Sequence, residues 1–198
     1  MAIVLDGTSG ATLPVPLAVA QGGTGSTTLT LTSPVIAGTP TGVGVLTSGT
    51  AVASTSGTSI DFTGIPSWAK RVTVMFNGVS TNGTSLIQIR LGNGSIVVSG
   101  YDCSYSTIGS ASSGGAYATS GFILNFICVA AQAYTGVMYI TNLSANIWTE
   151  TATTTIPSNG NCFSAGGISL GSALDRVRIT TVNGTDTFDA GSINILYE

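Results

Sequence analysis

From Arg71 to Glu198 the chain repeats one device: a short block of alternating apolar and polar residues, closed by an Asn- and Gly-rich turn. "RVTVMFNGV" puts Val72, Val74 and Phe76 on one side, and "SLIQIRLGNG" puts Ile87, Ile89 and Leu91 on one side with Gln88 and Arg90 opposite. A period of two is the pattern of a strand, whose successive side chains point to opposite faces. Val, Ile and Thr dominate these blocks, which favours strand over helix. Only 7% of residues are charged, against about 25% in ordinary domains. A surface helix needs a charged or polar face, and none can be built from this composition. Further blocks follow in "SIVVSGYD", "GFILNFICV", "TGVMYITNL", "ANIWTET", "NCFSAGGISL", "LDRVRITTV" and "AGSINILYE". In "GFILNFICV", Phe122, Leu124 and Phe126 share one side while Ile123 makes the other apolar too, so that strand is expected to be buried on both faces. The turns read "FNG", "STNGTS", "LGNG" and "VNGTDT". About eight to ten short strands at this spacing predict an all-β domain over 58–198, an antiparallel β-sandwich of jelly-roll or immunoglobulin-like kind. One segment breaks the rhythm: "SYSTIGSASSGGAYATSG", Ser104 to Gly121, reads as a long loop, and long loops are commonly functional.

The first 57 residues have a different texture. In 1–20, "AIVLDG" can make one short strand, and Pro14 and Pro16 keep "TLPVPLAVA" extended. Residues 21–57 scatter single apolar side chains among Thr, Ser and Gly. One copy of that stretch cannot bury enough surface to offset an ordering cost of about 1–2 kcal/mol per residue. Two readings are open: a linker, or a stalk in which several copies wind together. The second explains the retention of Leu29, Leu31, Val35, Ile36, Val43, Val45 and Leu46, which would then be contacts between chains. Trp68, in "GIPSWAKRV", is expected where such domains meet the stalk, with Lys70 and Arg71 marking a solvated strand start.

Several classes of function are excluded or disfavoured. Five basic residues without a cluster, at a formal net charge of −3, do not suit nucleic-acid binding or docking on an acidic membrane. No run approaches the ~18 apolar residues of a membrane-spanning helix, and the N-terminus lacks the pattern of a signal peptide. There is no histidine, so Ser-His-Asp and Cys-His nucleophile activation are not available. Cys103, Cys128 and Cys162 have wide spacings and an odd count; they read as free, mostly buried thiols rather than a disulfide framework or a zinc site. Asp186 and Asp189 in "GTDTFDAG" could serve glycosidase chemistry or hold calcium, and Asp175 beside Arg176 is a second candidate for catalysis, but Asp among Gly and Thr more often caps its own turn. No enzyme, cofactor or metal is therefore expected. Sequons at Asn82, Asn93 and Asn183 read Asn-Gly-Ser/Thr, which is equally a turn signature, and a fourth lies at Asn142. The aromatic residues expected at the surface are Tyr101, Tyr105, Tyr117, Tyr134 and Trp148. Tyr101, Tyr105, Tyr117 and Trp148 are the candidate receptor-binding residues, because aromatic faces stack on sugars and anchor interfaces. Trp148 could equally fill the core.

"VAQGGTGSTTL", Val19 to Leu29, resembles the Gly-Gly-Thr-Gly element of tailed-bacteriophage tail fibres, and "MAIVLDGTSG" resembles the start of many fibre and minor tail proteins. "SIDFTGIPSWAKRVTVMFNGVSTNGTS" and "LDRVRITTVNGTDTFDAGSINILYE" are similar to a C-terminal domain that recurs in phage virion fibres. The middle, about 100–171, carries no such resemblance. The resemblance implies a homotrimeric fibre that is assembled in the host cytoplasm and projects from the virion. Its N-terminal segment would dock on a tail or baseplate protein, and its outer domain would bind a host cell-surface glycan or protein. The alternative is a head fibre or capsid decoration protein with a purely structural role. A depolymerase, acting through Asp186 and Asp189, is a third and weaker reading.

Overall fold

The computed structural model describes residues 46–109, 113–157 and 160–198, all within the unit Gly44–Glu198. No helix occurs among the described residues. The strands in chain order are β1 (Thr47–Ser48), β2 (Val52–Ala53), β3 (Ser59–Thr63), β4 (Arg71–Thr81), β5 (Ile87–Gly92), β6 (Asp102–Gly109), β7 (Ser113–Ala118), β8 (Phe122–Ile123), β9 (Tyr134–Ser144), β10 (Ile147–Ile156), β11 (Gly160–Ser169), β12 (Arg176–Thr181) and β13 (Phe188–Tyr197). They form two antiparallel sheets. The large one runs β1-β13-β4-β9-β10-β11-β6-β7, with β2 also on β13, and the small one runs β3-β12-β5-β8. The all-β expectation holds.

The alternation that defines the strands also defines the core. Val72, Val74 and Phe76 of β4 and Met138 and Ile140 of β9 are buried, as are Ile87, Ile89 and Leu91 of β5 and Val177 and Ile179 of β12; all belong to one apolar cluster. β10 alternates without a break, exposed at Ile147 and buried at Trp148 through to Ile156. The expected face of "SLIQIRLGNG" is buried, but Gln88 opposite it is buried too, because β8 and the Ser120 region cover that edge; its Nε2 donates to Ser120 Oγ at 2.8 Å.

The fold differs from the sequence reading in four places. Among the described residues from 58 onward there are eleven strands rather than about eight to ten, because β3, β6 and β7 join the alternating blocks. Ser104 to Gly121 is not a long loop: β6 and β7 pair from Cys103↔Ala118 to Ile108↔Ser113. β7 lies at the end of the sheet order with mostly exposed side chains, so it needs no apolar row to belong to the sheet. "SIVVSGYD" forms a single bridge, Gly92↔Ile96. Beyond it Val97 N donates to Leu91 O and the Tyr101 hydroxyl donates to Val97 O, a side-chain hold where a ladder was expected. "GFILNFICV" is buried on both faces at Phe122, Ile123 and Leu124 as expected, yet only Phe122–Ile123 is strand. Asn125 ends it by taking over backbone partners: its Oδ1 accepts from Ile87 N and its Nδ2 donates to Ile127 O.

Part of the expected stalk also sits on the sheet. β1 and β2 pair with β13 of their own chain, at Thr47↔Tyr197, Ser48↔Leu196, Ser192↔Ala53 and Ile193↔Val52. Ser54 secures the join, since its N donates to Gly191 O at 2.9 Å and its buried hydroxyl to Ala190 O at 2.7 Å. Arg71 opens β4 exposed, as expected, and the backbone N–H groups of Lys70 and Arg71 both donate to Glu198 O. The turn reading of three sequons is supported. Asn82 Oδ1 accepts from Thr187 N, Asn183 Oδ1 accepts from Thr185 N and Asp186 N, and Asn93 lies in the bend after β5.

The β9–β10 hairpin turns on Ala145 and Asn146, and Ala145 has φ +46°, the left-handed region. That conformation costs an L-residue with a Cβ about 1–2 kcal/mol. Asn142 holds the turn, its Nδ2 donating to Ala145 O at 2.9 Å. Ala145→Gly is therefore expected to stabilise the domain by about 1 kcal/mol, less the entropy glycine adds to the unfolded chain. Urea denaturation of both proteins measures it, and an unchanged or lower midpoint contradicts the strain.

Candidate functional site

The expected site residues divide between the core and the surface. Tyr101 is buried: its hydroxyl accepts from Leu91 N at 2.7 Å and donates to Val97 O, and its ring meets Phe122 edge-on at 5.0 Å. Burial pushes the phenol up to about 12. Trp148 is buried on the inner row of β10, where the alternation of that strand places it. Tyr134 is fully buried, its hydroxyl donating to Ile127 O. None of these three can meet a receptor. The tyrosines misled because a Tyr whose hydroxyl finds backbone partners packs like Phe. Tyr105 is half-buried and turned inward against Phe126 at 6.3 Å. Tyr117 alone of the set is at the surface, 59% exposed on β7. Of the expected contacts between chains, Leu46 is exposed, and Trp68 is 48% exposed with its ring 5.8 Å from Tyr197. Leu29, Leu31, Val35, Ile36, Val43 and Val45 lie outside the described residues, as does the segment 1–20.

The three candidate aspartates are all engaged in local hydrogen bonds, and Asp186 caps its turn. Asp186 accepts from Ser85 N at 2.9 Å and from Asn183 Nδ2 at 2.7 Å, and these bonds, the amide first, hold its carboxyl below the ordinary range. Asp189 accepts from the Ser80 hydroxyl. Asp175 is held low by the guanidinium of Arg176 beside it, at 2.7 Å. Each is engaged in joining two segments of chain.

Reading strand partners across the outer face of the large sheet reveals a surface that no single stretch of sequence shows. One register row runs Tyr139 (β9), Thr151 (β10), Ala165 (β11), Ser104 (β6), Tyr117 (β7). The next runs Val137, Thr153, Phe163, Ser106, Gly115. Between the two rows lies a shallow open hollow of about 370 Å³, lined by Thr151, Thr153, Phe163, Ala165, Ser104 and Ser106. Phe163 is 38% and Tyr139 44% exposed, both large values for a ring on a sheet. No charged residue stands in either row. Charge returns one row away, with Asp102 on β6 and Arg71 on β4. Three of the four arginines lie on the small sheet, Arg90 on β5 and Arg176 and Arg178 on β12; Arg178 forks onto Asp61 at 2.7 and 2.6 Å. Phe163 was missed because nothing within "NCFSAGGISL" shows which face of the strand is outward; only its strand neighbours make it a site.

Beneath this surface, on the inner row of β10, sits a carboxylate that the sequence also hid. Glu150 is 5% exposed. Its Oε2 accepts from Ser164 Oγ at 3.2 Å and its Oε1 from Cys103 Sγ at 3.8 Å. Its partner on β11 is Gly166, where a Cβ would lie 2.2 Å from Asp102 O, so the glycine lets β6 approach β11 there. No Lys or Arg takes part in these bonds, so burial raises the carboxyl from 4.5 to about 7.

No family model, no curated protein and no solved structure matches the chain.

The Glu150 environment has a consequence for stability. Between about pH 4.5 and 7 the folded chain keeps a proton that the unfolded chain has released. Stability therefore falls as pH rises through that window and levels off above it, a loss on the order of 3 kcal/mol if the whole shift is expressed. Glu150→Gln should flatten this slope and be the more stable protein at pH 8. Urea midpoints at pH 5 and pH 8 decide it: equal slopes for the two proteins would show that Glu150 is not the titrating group.

Proposed function

We propose that the chain is a fibre of a bacteriophage virion, a homotrimeric tail fibre whose sheet domain attaches to the host cell surface. The observation that carries the reading is the outer face of the large sheet. It presents aromatic rings and hydroxyls, carries no charge in its two central rows and is crossed by an open hollow. A surface of this kind suits weak, repeated contacts, which three linked copies convert to firm attachment by avidity. The N-terminal resemblances to fibre proteins support the same reading. Segment 1–20 would attach to a tail or baseplate protein, and the residues between it and Leu46 would form the stalk.

Trp68 stands exposed on Tyr197 at the end of β13, where a ring of that size would be covered by a neighbouring copy. Sedimentation at micromolar concentration should give three times the chain mass, and Trp68→Ala should shift the distribution toward monomer. A wild-type monomer would remove the intertwined stalk. For adhesion, purified chain added before phage should reduce adsorption to the host in proportion to dose. Unchanged adsorption, with antibody labelling of the capsid head, would make the protein a head fibre or decoration protein instead.

A further inference from the structure

We propose that the hollow between the two register rows is a binding site for a neutral oligosaccharide lying across the strands. The inference rests on the adhesive reading above and names the ligand class for that face.

The chemistry of the rows matches that of a sugar chain. A sugar ring has an apolar C–H face and a hydroxyl rim. Phe163 and Tyr117 offer exposed rings to the first. Ser104, Ser106 and Thr153 offer hydroxyls that both donate and accept, and none of them hydrogen-bonds another described residue through its side chain. The dimensions match as well. Tyr139 and Tyr117 stand in one row on strands four steps apart, so at about 4.8 Å per strand they are about 19 Å apart. That is a span for a chain of rings, not for one ring, and the hollow is open rather than closed round a single unit. Gly115, at the β7 end of the second row, leaves that end without a side chain.

The charge distribution selects neutral over anionic ligands. No Lys or Arg stands in either row, and the nearest charge on β6 is Asp102, which repels an acidic glycan. Three of the four arginines that could pair with sulfate or carboxylate are on the small sheet, and the fourth, Arg71 on β4, is already paired with the Glu198 carboxylate. A second copy of the chain is a poorer occupant. Packed sheet to sheet, it would dry out the hydroxyls of Ser104, Ser106 and Thr153 without giving them partners, and unpaired buried hydroxyls are costly.

The test titrates the full-length chain with maltohexaose, cellohexaose and chitohexaose, read by saturation-transfer NMR and calorimetry, with a heparin hexasaccharide as the acidic probe. Three variants accompany the wild type: Phe163→Ala and Tyr117→Ala, which remove exposed rings, and Ala165→Glu, which adds charge to the floor. Binding of at least one neutral hexasaccharide is expected, weakened about tenfold by each ring deletion and by at least as much by Ala165→Glu. Thermal melts identify any variant that fails to fold, and the remaining two then decide. Binding of heparin alone overturns the proposal, as does neutral-sugar binding that all folded variants retain. No binding to any of the four also overturns it. So does a loss of oligomer mass in Phe163→Ala, because the face is then an interface between copies. The adhesive reading is judged separately, by adsorption of phage. If wild type and all three variants block adsorption equally, adhesion stands and this site is wrong. If the wild type does not block it, adhesion itself fails.

Discussion

The structure depends on one constraint: the inner rows of two sheets must stay dry against each other in a chain with few charges to spare for anything else. β4 and β9 supply Val72, Val74, Phe76, Met138 and Ile140 from one side, and β5 and β12 supply Ile87, Ile89, Leu91, Val177 and Ile179 from the other. A slip of one residue in any of these strands would exchange its buried and exposed sets, so the register is strongly specified. Everything outward-facing follows from that register. The aromatic and hydroxyl rows of the large sheet exist because Ala152, Ser164 and Cys103 are held inward on β10, β11 and β6.

Charge is then free to be segregated. Arg178 and Asp61 pair across β12 and β3, and Arg176 is pinned by Asp175 at the start of β12. Exposed pairs of this kind add little stability, in the range of about 0–1 kcal/mol. Their effect here is on where the charge stands. It leaves the hydroxyl-rich face neutral while the opposite sheet carries the fork geometry suited to carboxylate and phosphate.

Much of the fold was legible where hydropathy alternated. β4, β5, β12 and β13 were each visible as a period of two, and the Asn-Gly turns at 82, 93 and 183 were visible as turns. Two kinds of feature were not. Strands of small residues, such as β7 in "SGGAYA", carry no period because their place comes from pairing with β6. Buried polar groups were also hidden. Glu150 sits in "IWTETATTTI", where Thr flanks it on both sides and nothing marks it as interior. Its burial follows from strict alternation on β10, and its two oxygens are met by Ser164 on β11 and Cys103 on β6. For the candidate site the lesson is the same. Tyr117 was found by residue type, Phe163 only by the strands beside it, while Tyr101 is held in the core by Leu91, Val97 and Phe122 and Trp148 by the alternation of β10.

The Glu150 pocket also bears on the thiols. Cys103 gives its hydrogen to a carboxylate and is pushed up to about 12 by burial. Burial likewise raises Cys162, which lies against Thr107 Oγ1 at 3.2 Å, and Cys128. The thiolate is the form that attacks disulfides and oxidants, so thiols held this far from ionising are chemically quiet. None of the three cysteines is in a disulfide, so the fold holds together without a cross-link that reducing surroundings could break.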